Sequence, residues 1–396
     1  MFVKDFLWLL FKENLLINWV YRHLLGSVFP VLQQQVPACD LSNKDTYKTT
    51  KLKKPMFSVT GYTSGTTNQP MTVYRSVKSI LLEEYMVKTF LALHRVQLKA
   101  KIAVLRGDMI KASTDNTPPF WRFAPFTGRV FFSSFHLSPE NVPAYLQQLS
   151  KEKPDIIMAY PSSITFLAKQ AKLLGWVPDW PFSGVFTSSE TFTPENQQIC
   201  REVFGKVFDH YGQAERVAAL QQCAFGHYHV REDYSVVEFV DDEHGTKIVG
   251  TNAHNSAMPL RRYDTGDYVE GLNKLGNCPC GNHSPYVTRI LGRDDDYLIL
   301  TDGRHIGRMD VAFKGVEGLL ECQLVQTDGK TLEVHFVTQP GYSNSQLEQD
   351  LAAVLQQRLG DNLQLKFIQQ LSIARTKAGK FRSVIRLNVG NSSVSN

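Results

Sequence analysis

Residues 63–67 read Thr-Ser-Gly-Thr-Thr and follow the strand-like run Phe57-Ser58-Val59-Thr60. Hydroxyls gathered round one glycine can bring O–H and backbone N–H donors onto phosphate oxygens. A plain polar turn uses the same residue types, so the reading depends on what lies downstream. At 207–215 a strand-like segment ends at Gly212, after Tyr211, and Glu215 follows. An aromatic face there can pack on a base, and a carboxylate can hold Mg²⁺ beside phosphates. In Tyr263-Asp264-Thr265-Gly266-Asp267, Asp267 is placed after a glycine turn, where a carboxylate can accept both ribose hydroxyls. Arg293, after Gly292, can add a ribose or phosphate contact. Lys380, at the glycine-bearing tip of Arg375-Thr376-Lys377-Ala378-Gly379-Lys380, can bring positive charge into a site built elsewhere. Read together, these segments point to a nucleotide triphosphate.

A second chemistry is carried by sulfur. Cys278-Pro279-Cys280 aims two thiolates at one centre, and Cys223 is followed by His227 and His229. Those two thiolates together with Cys223 and a histidine, His227 or His229, can make a tetrahedral zinc site. Four protein ligands leave no position for water, so such a site is structural. Ordinary buried or surface thiols are the alternative.

These residues need a scaffold. With 396 residues, 43% of them hydrophobic, the chain can build two or three domains and a substantial core. Short apolar runs at 102–105, 155–159, 183–187 and 206–209 read as buried strands, and 162–174 and 194–203 as helices between them. The expected fold is α/β: a large N-terminal domain of mixed sheets covered by helices, with a small α+β C-terminal domain. The charged run 292–296 marks the boundary, giving domains 1–293 and 294–396. The 43 basic and 38 acidic residues, net +5, are interspersed without a basic block, which argues against nucleic acid. Charges at Lys4, Asp5, Lys12, Glu13 and Arg22 interrupt the apolar start, which predicts neither a membrane span nor a signal peptide. A cytoplasmic protein is expected, with surface contact of the leading helix with a membrane as a minor option. The polar end 388–396 reads as a frayed tail.

The ordered segments TSGTT, YGQAE, YDTGD, GRDDD and RTKAGK resemble the adenylate-forming superfamily of acyl- and aryl-CoA synthetases, from residue 63 to residue 382. Tyr160-Pro161-Ser162-Ser163 and Thr187-Ser188-Ser189-Glu190 resemble the phenylacetate-CoA ligase branch, particularly its CapK-type relatives associated with polysaccharide genes. The resemblance implies that a carboxylate attacks the α-phosphate of ATP to form an acyl-adenylate, and that CoA, an amine or a hydroxyl then takes the acyl group. It implies that the small domain swings, with Asp295 or a neighbour as hinge. Thr63, Ser64, Gly65, Thr66 and Thr67 would hold the β- and γ-phosphates, Glu215 the Mg²⁺, Tyr211 the adenine or the acid, and Asp267 with Arg293 the ribose. Lys380 would stabilise the transition state. Tyr160, Ser163, Ser188, Glu190 and Gly212 would line the acid pocket. Arg106, Trp121 and Arg122 can recognise a polar or anionic substrate. Some relatives carry a structural zinc from a similar C-x5-H and C-x-C set, which implies Cys223, His229, Cys278 and Cys280 as ligands here, with His227 as the substitute for His229. His136, His210 and His254 need not act as bases, because an ionised carboxylate requires none. Where the family loop often continues Gly-Lys-Pro, this chain has Asn68-Gln69-Pro70, which removes a phosphate contact. A nucleotide-binding scaffold with weak catalysis, or an enzyme that transfers AMP without forming a thioester, is the alternative.

Overall fold

The computed structural model of the chain describes residues 32, 34–43, 46–47, 54–56, 58–62, 71–97, 99–108, 110–112, 115–124, 128–293, 298–300, 305–306, 309, 313, 316–328, 330–360, 363–376 and 379–387. The expectations for the leading segment, the hydroxyl loop 63–67, Asn68-Gln69-Pro70, the hinge at Asp295 and the tail 388–396 lie outside the described residues.

β1 (Ser58–Tyr62) and β2 (Thr72–Ser76) pair antiparallel, with Tyr62 opposite Thr72, so the two ends of the 63–70 segment are tied together. α1 (Val77–Leu93) starts at once, its first turn capped by Ser76, whose hydroxyl accepts from Ser79 N. Next come β3 (Ile102–Arg106), β4 (Trp121–Ala124), β5 (Arg129–Ser133), α2 (Val142–Glu152), β6 (Ile156–Ala159) and α3 (Pro161–Leu173). They are followed by β7 (Gly184–Ser188), α4 (Pro194–Phe204), β8 (Val207–Gly212), β9 (Ala219–Gln222) and β10 (Tyr228–Val230). β11 (Ser235–Asp242), β12 (Gly245–Asn252), β13 (Tyr263–Glu270), β14 (Tyr286–Val287) and β15 (Arg289–Arg293) complete the larger part.

A nine-stranded sheet in the order β14-β10-β9-β8-β7-β6-β3-β5-β4 forms its centre. β5, β3, β6, β7 and β8 run parallel, and the flanking strands are antiparallel. Every residue of β6 and β7 is buried, as expected of parallel strands covered on both faces. Proline at the start of α3 and α4 sets each helix entry, and Thr193 caps α4 by accepting from Asn196 N. The four expected strands and both helices are present, with ends moved by a residue or two, except β8. That strand continues to Gly212 because it pairs with β7 on one side and β9 on the other. β11, β12, β13 and β15 make a separate antiparallel sheet.

The C-terminal part holds β16 (Leu298–Ile299), β17 (His305–Ile306), β18 (Leu319–Gln326), β19 (Thr331–Thr338), α5 (Asn344–Leu359), β20 (Gln364–Gln369) and β21 (Val384–Arg386). Its four-stranded sheet runs β20-β19-β18-β21. Ser343 caps α5 through Gln346 N, and Leu347, Leu351, Leu355 and Leu359 form a buried stripe at helical spacing that lies over the sheet. The fold class is therefore α/β with a small α+β C-terminal domain. Leu320, Val337 and Ile373 from that domain join the main core of the larger one. Among the described residues, no helix is long and apolar enough to cross a membrane.

Candidate active site

The sheet order reverses around β3, with β5 on one side and β6, β7 and β8 on the other. Ligands bind at the carboxyl ends of strands beside such a reversal, because the following loops diverge and leave a crevice. Here the ends of β3, β7 and β8 open into a cleft of about 580 Å³. Residues 376 and 380–383 of the C-terminal domain help to line it.

Tyr211, Gly212, Glu215 and Asp267 share one wall. Tyr211 donates its hydroxyl to Asp267 Oδ2 at 2.6 Å, which fixes the carboxylate at the rim. Asp267 was expected after a turn but lies within β13. Gly266, at φ 73°, lies in an irregularity of that strand where the register with β12 shifts, and Asp267 sits opposite Arg293 of β15. Two of the expected ribose residues thus occupy neighbouring strands; the side chain of Arg293 lies outside the described part. Glu215 is buried and accepts from Tyr263 Oη at 3.3 Å.

The opposite rim carries the lysine loop. Lys380 Nζ donates to the Ser189 carbonyl at 2.8 Å and lies 5.9 Å from the Tyr160 ring centre. The loop is held shut by Lys380 N, which donates to Thr376 Oγ1 at 3.1 Å, and by Thr376 N, which donates to the Lys380 carbonyl at 2.9 Å. Gly379, at φ 75°, lies directly against the backbone of Gly107 after β3. Glu190 ties loop to cleft: Oε1 accepts from Phe381 N and Oε2 from Ser162 N, both at 2.9 Å. Burial raises the pKa of Glu190, opposed by these N–H donors. Behind the loop, Arg375 pairs with Glu321 and lies over the Phe381 ring, while Lys169 of α3 donates to the carbonyls of Leu319 and Leu320.

On the acid side, Ser188, Glu190 and Gly212 line the cleft. Glu190 does so as a clasp between two backbone N–H groups, so its charge is already occupied. Ser163 does not line the cleft: it is fully buried in the first turn of α3, and its neighbour Ser162 lines the cleft instead. Tyr160 precedes α3 and meets Lys380 instead of the cleft wall. Asp209 is buried beneath the site, accepting from Thr187 Oγ1 at 2.6 Å and Tyr228 Oη at 3.0 Å, and burial pushes its pKa up to about 6. His210 lines the cleft, and burial lowers its pKa to about 4, which keeps it neutral.

Residues 298–387 match the model of the CapK C-terminal domain. Protein CapK of Staphylococcus aureus is 24% identical over 331 residues, covering 82% of this chain and 73% of that protein. The chain is similar to CapK-like members of the adenylate-forming superfamily. Phenylacetate-coenzyme A ligase of Thermus thermophilus is 28% identical over 162 residues, 37% of this chain and 36% of its own length. A crystal structure of 2-hydroxyisobutyryl-CoA ligase in the postadenylation state, in complex with R3-HIB-AMP, shares the fold. Its TM-score is 0.60 at 18% identity, over 88% of this chain and 80% of that one.

The CapK-like chain has a second constellation at the far edge of its central sheet. The donor atoms of Cys223, His229, Cys278 and Cys280 lie within 4.8 Å of one another. Cys223 Sγ is 3.9 Å from Cys278 Sγ, and Cys280 Sγ is 3.3 Å from His229 Nε2. A tetrahedral zinc with Zn–S of about 2.3 Å and Zn–N of about 2.0 Å demands edges of this length. The Ser284 carbonyl, 3.2 Å from His229 Nδ1, turns Nε2 toward the centre. His227, expected as the substitute ligand, has another place: its Nδ1 is 3.2 Å from Cys278 Sγ and its ring stacks on Tyr286. Alternation along β10 sends neighbouring residues to opposite faces, but His227 precedes the strand and can back the thiolate from outside.

Sequence reading overlooked Ser189, Arg75, Glu83 and Arg216. Ser189 presents its carbonyl to Lys380 from a left-handed backbone at φ 78°, and only its place in Thr187-Ser188-Ser189-Glu190 could have flagged it. Glu83 accepts from Tyr234 Oη at 2.7 Å and pairs with Arg216 at 3.7 Å, contacts between segments more than 130 residues apart that leave no local mark.

Proposed function

We propose that this chain activates a small carboxylic acid with ATP as an acyl-adenylate and passes the acyl group to CoA or an amine. The observation that carries the reading is Lys380 Nζ at 2.8 Å from the Ser189 carbonyl, in one cleft with Tyr211, Asp267 and Glu215. In this reading a carboxylate oxygen attacks the α-phosphorus, the bond from that phosphorus to the bridging oxygen breaks, and pyrophosphate leaves with the electron pair. Lys380 exchanges a carbonyl for the phosphoryl oxygens on which charge grows, a preorganised contribution needing little movement. Asp267 accepts the ribose hydroxyls while Tyr211 Oη steadies its second oxygen, and Tyr211 borders the adenine or the acid. Thr63, Ser64, Gly65, Thr66 and Thr67 are assigned to the β- and γ-phosphates and Arg293 to the ribose. Glu215, a buried carboxylate at the cleft wall, would hold Mg²⁺, which neutralises phosphate charge when bound.

Cys223, His229, Cys278 and Cys280 are assigned to a structural Zn²⁺, supported by the spacing of their donor atoms. The CapK resemblance supports a setting in polysaccharide biosynthesis. The test is acid-dependent exchange of labelled pyrophosphate into ATP, with Lys380→Ala alongside. Exchange with one class of acid, reduced about 10²- to 10³-fold in the variant, is expected. ATP binding with no exchange for any acid would replace this reading by that of a nucleotide-binding scaffold.

A further inference from the structure

Arg106 ends β3 and lines the cleft among Val87, Phe90, Leu91, Met158 and Phe186, an otherwise apolar stretch of wall. The side chain is half-buried, with Nε enclosed, and burial lowers its pKa. Nε is buried without a hydrogen-bond partner, and among the described residues the side chain forms no ion pair. A cation withdrawn from water is costly unless a hydrogen-bonded anion meets it.

The carboxylates that act on Arg106 are Asp108, Glu83 and Asp209. None satisfies it. Glu83 is engaged by the Tyr234 hydroxyl and Arg216, and Asp209 by the hydroxyls of Thr187 and Tyr228. Asp108 is itself half-buried, and it faces Arg122 and Arg129 as well. A second polar group waits beside Arg106: His210 lines the same cleft, with Nδ1 buried and unpartnered. The wall therefore offers a cation and a neutral imidazole at the end of an apolar passage, while Lys380 stands at its rim.

We propose that the acid activated here is a dicarboxylic acid whose non-reacting carboxylate is bound by Arg106, with His210 as a hydrogen-bonding neighbour. The inference rests on the acid-activating reading of the cleft and adds the class of acid. A guanidinium matches a carboxylate in two parallel hydrogen bonds, and the apolar residues cover the chain or ring between the two carboxylates.

The experiment compares matched acids in pyrophosphate exchange: glutarate with pentanoate, adipate with hexanoate, and terephthalate with 4-methylbenzoate. Wild type should favour the diacid in at least one pair by about 10²-fold or more in kcat/KM, since a site built for a polar group rejects an analogue lacking it. Arg106→Leu should reverse that preference, losing the diacid and raising the monoacid, and Arg106→Lys should restore part of it. Exchange by Arg106→Leu with the monoacid also reports that the variant is folded. Wild-type preference for monoacids, or an equal loss of both acids in folded Arg106→Leu, would overturn the inference. If no acid drives exchange, the activation reading fails by itself. Calorimetric titration of wild type with the same six acids then decides the inference: saturable binding of diacids alone supports it, and equal or absent binding overturns it.

Discussion

Gly379→Ala tests whether the docked lysine loop is the adenylating arrangement. Gly379 has φ 75°, and a Cβ built there would overlap Gly107 Cα and lie 2.9 Å from Ser134 Oγ. The left-handed backbone costs alanine about 1–2 kcal/mol. The overlap matters more, because carbon atoms rest at about 3.5–4.0 Å, so loop and β3 end must separate by more than about 1 Å. Lys380 is the next residue and reaches Ser189 through a single 2.8 Å contact. A displacement of about 1 Å at a reacting centre can cost about 10²-fold. Single-turnover adenylate formation should therefore fall by about that factor in Gly379→Ala, while the unfolding temperature moves little because neither core contains this residue. Acyl transfer from adenylate supplied ready-made should be less affected, since it does not call on Lys380 in this pose. Adenylate formation within threefold of wild type would refute the argument that this backbone contact positions the lysine.

Two further outcomes follow from groups outside the loop. Asp209 has a folded pKa of about 6 against an ordinary 3.8, so the folded chain holds its proton more tightly than the unfolded one. Its stabilising contribution is complete below the ordinary value and is lost as pH rises through the folded one. Asp209→Asn removes that loss; the Tm of the variant minus that of wild type should climb between about pH 4 and pH 6 and then level, and a difference independent of pH would contradict the burial argument. At the sheet edge, protein purified without chelator should carry about one zinc per chain, and Cys280→Ser should lower both zinc content and Tm. Less than a trace of zinc in the wild type would sink the four-ligand site.

What could be read from the sequence divides by the range of the interactions. β6 and β7 were visible as apolar runs because parallel strands are covered on both faces, and the leucines of α5 show the helical spacing of a face pressed on a sheet. Tyr211 and Glu215 lie within one strand end and its loop, so their spacing carries their geometry. Cys223, His229, Cys278 and Cys280 fall into two short pairs along the chain, so the sequence could mark them as a cluster, and their donor atoms do lie within 4.8 Å of one another. His227 was harder to place, because an imidazole that binds metal and one that backs a thiolate have the same local sequence. Gly266 usually marks a turn, but here it marks a register shift against β12, and pairing with β15 keeps Asp267 within the strand. In the first turn of α3 it is Ser162 that lines the cleft, while Ser163, one residue on, is buried.

The roles of Glu190 and Arg106 depend on contacts across the whole chain, and here the outcomes differ for a physical reason. Glu190 is a half-buried carboxylate with an N–H donor on each oxygen, one from Ser162 and one from Phe381, 191 residues away. Its charge is spent inside the protein, joining the cleft to the loop that carries Lys380. Arg106 is a half-buried cation whose Nε has no hydrogen-bond partner, and Glu83 and Asp209 near it already have partners. A charge answered by the protein holds the fold together, whereas a charge left unanswered in a cleft has to be met by what enters. Sequence shows both as single charged residues near strand ends; only the completed set of contacts separates the clasp from the receptor.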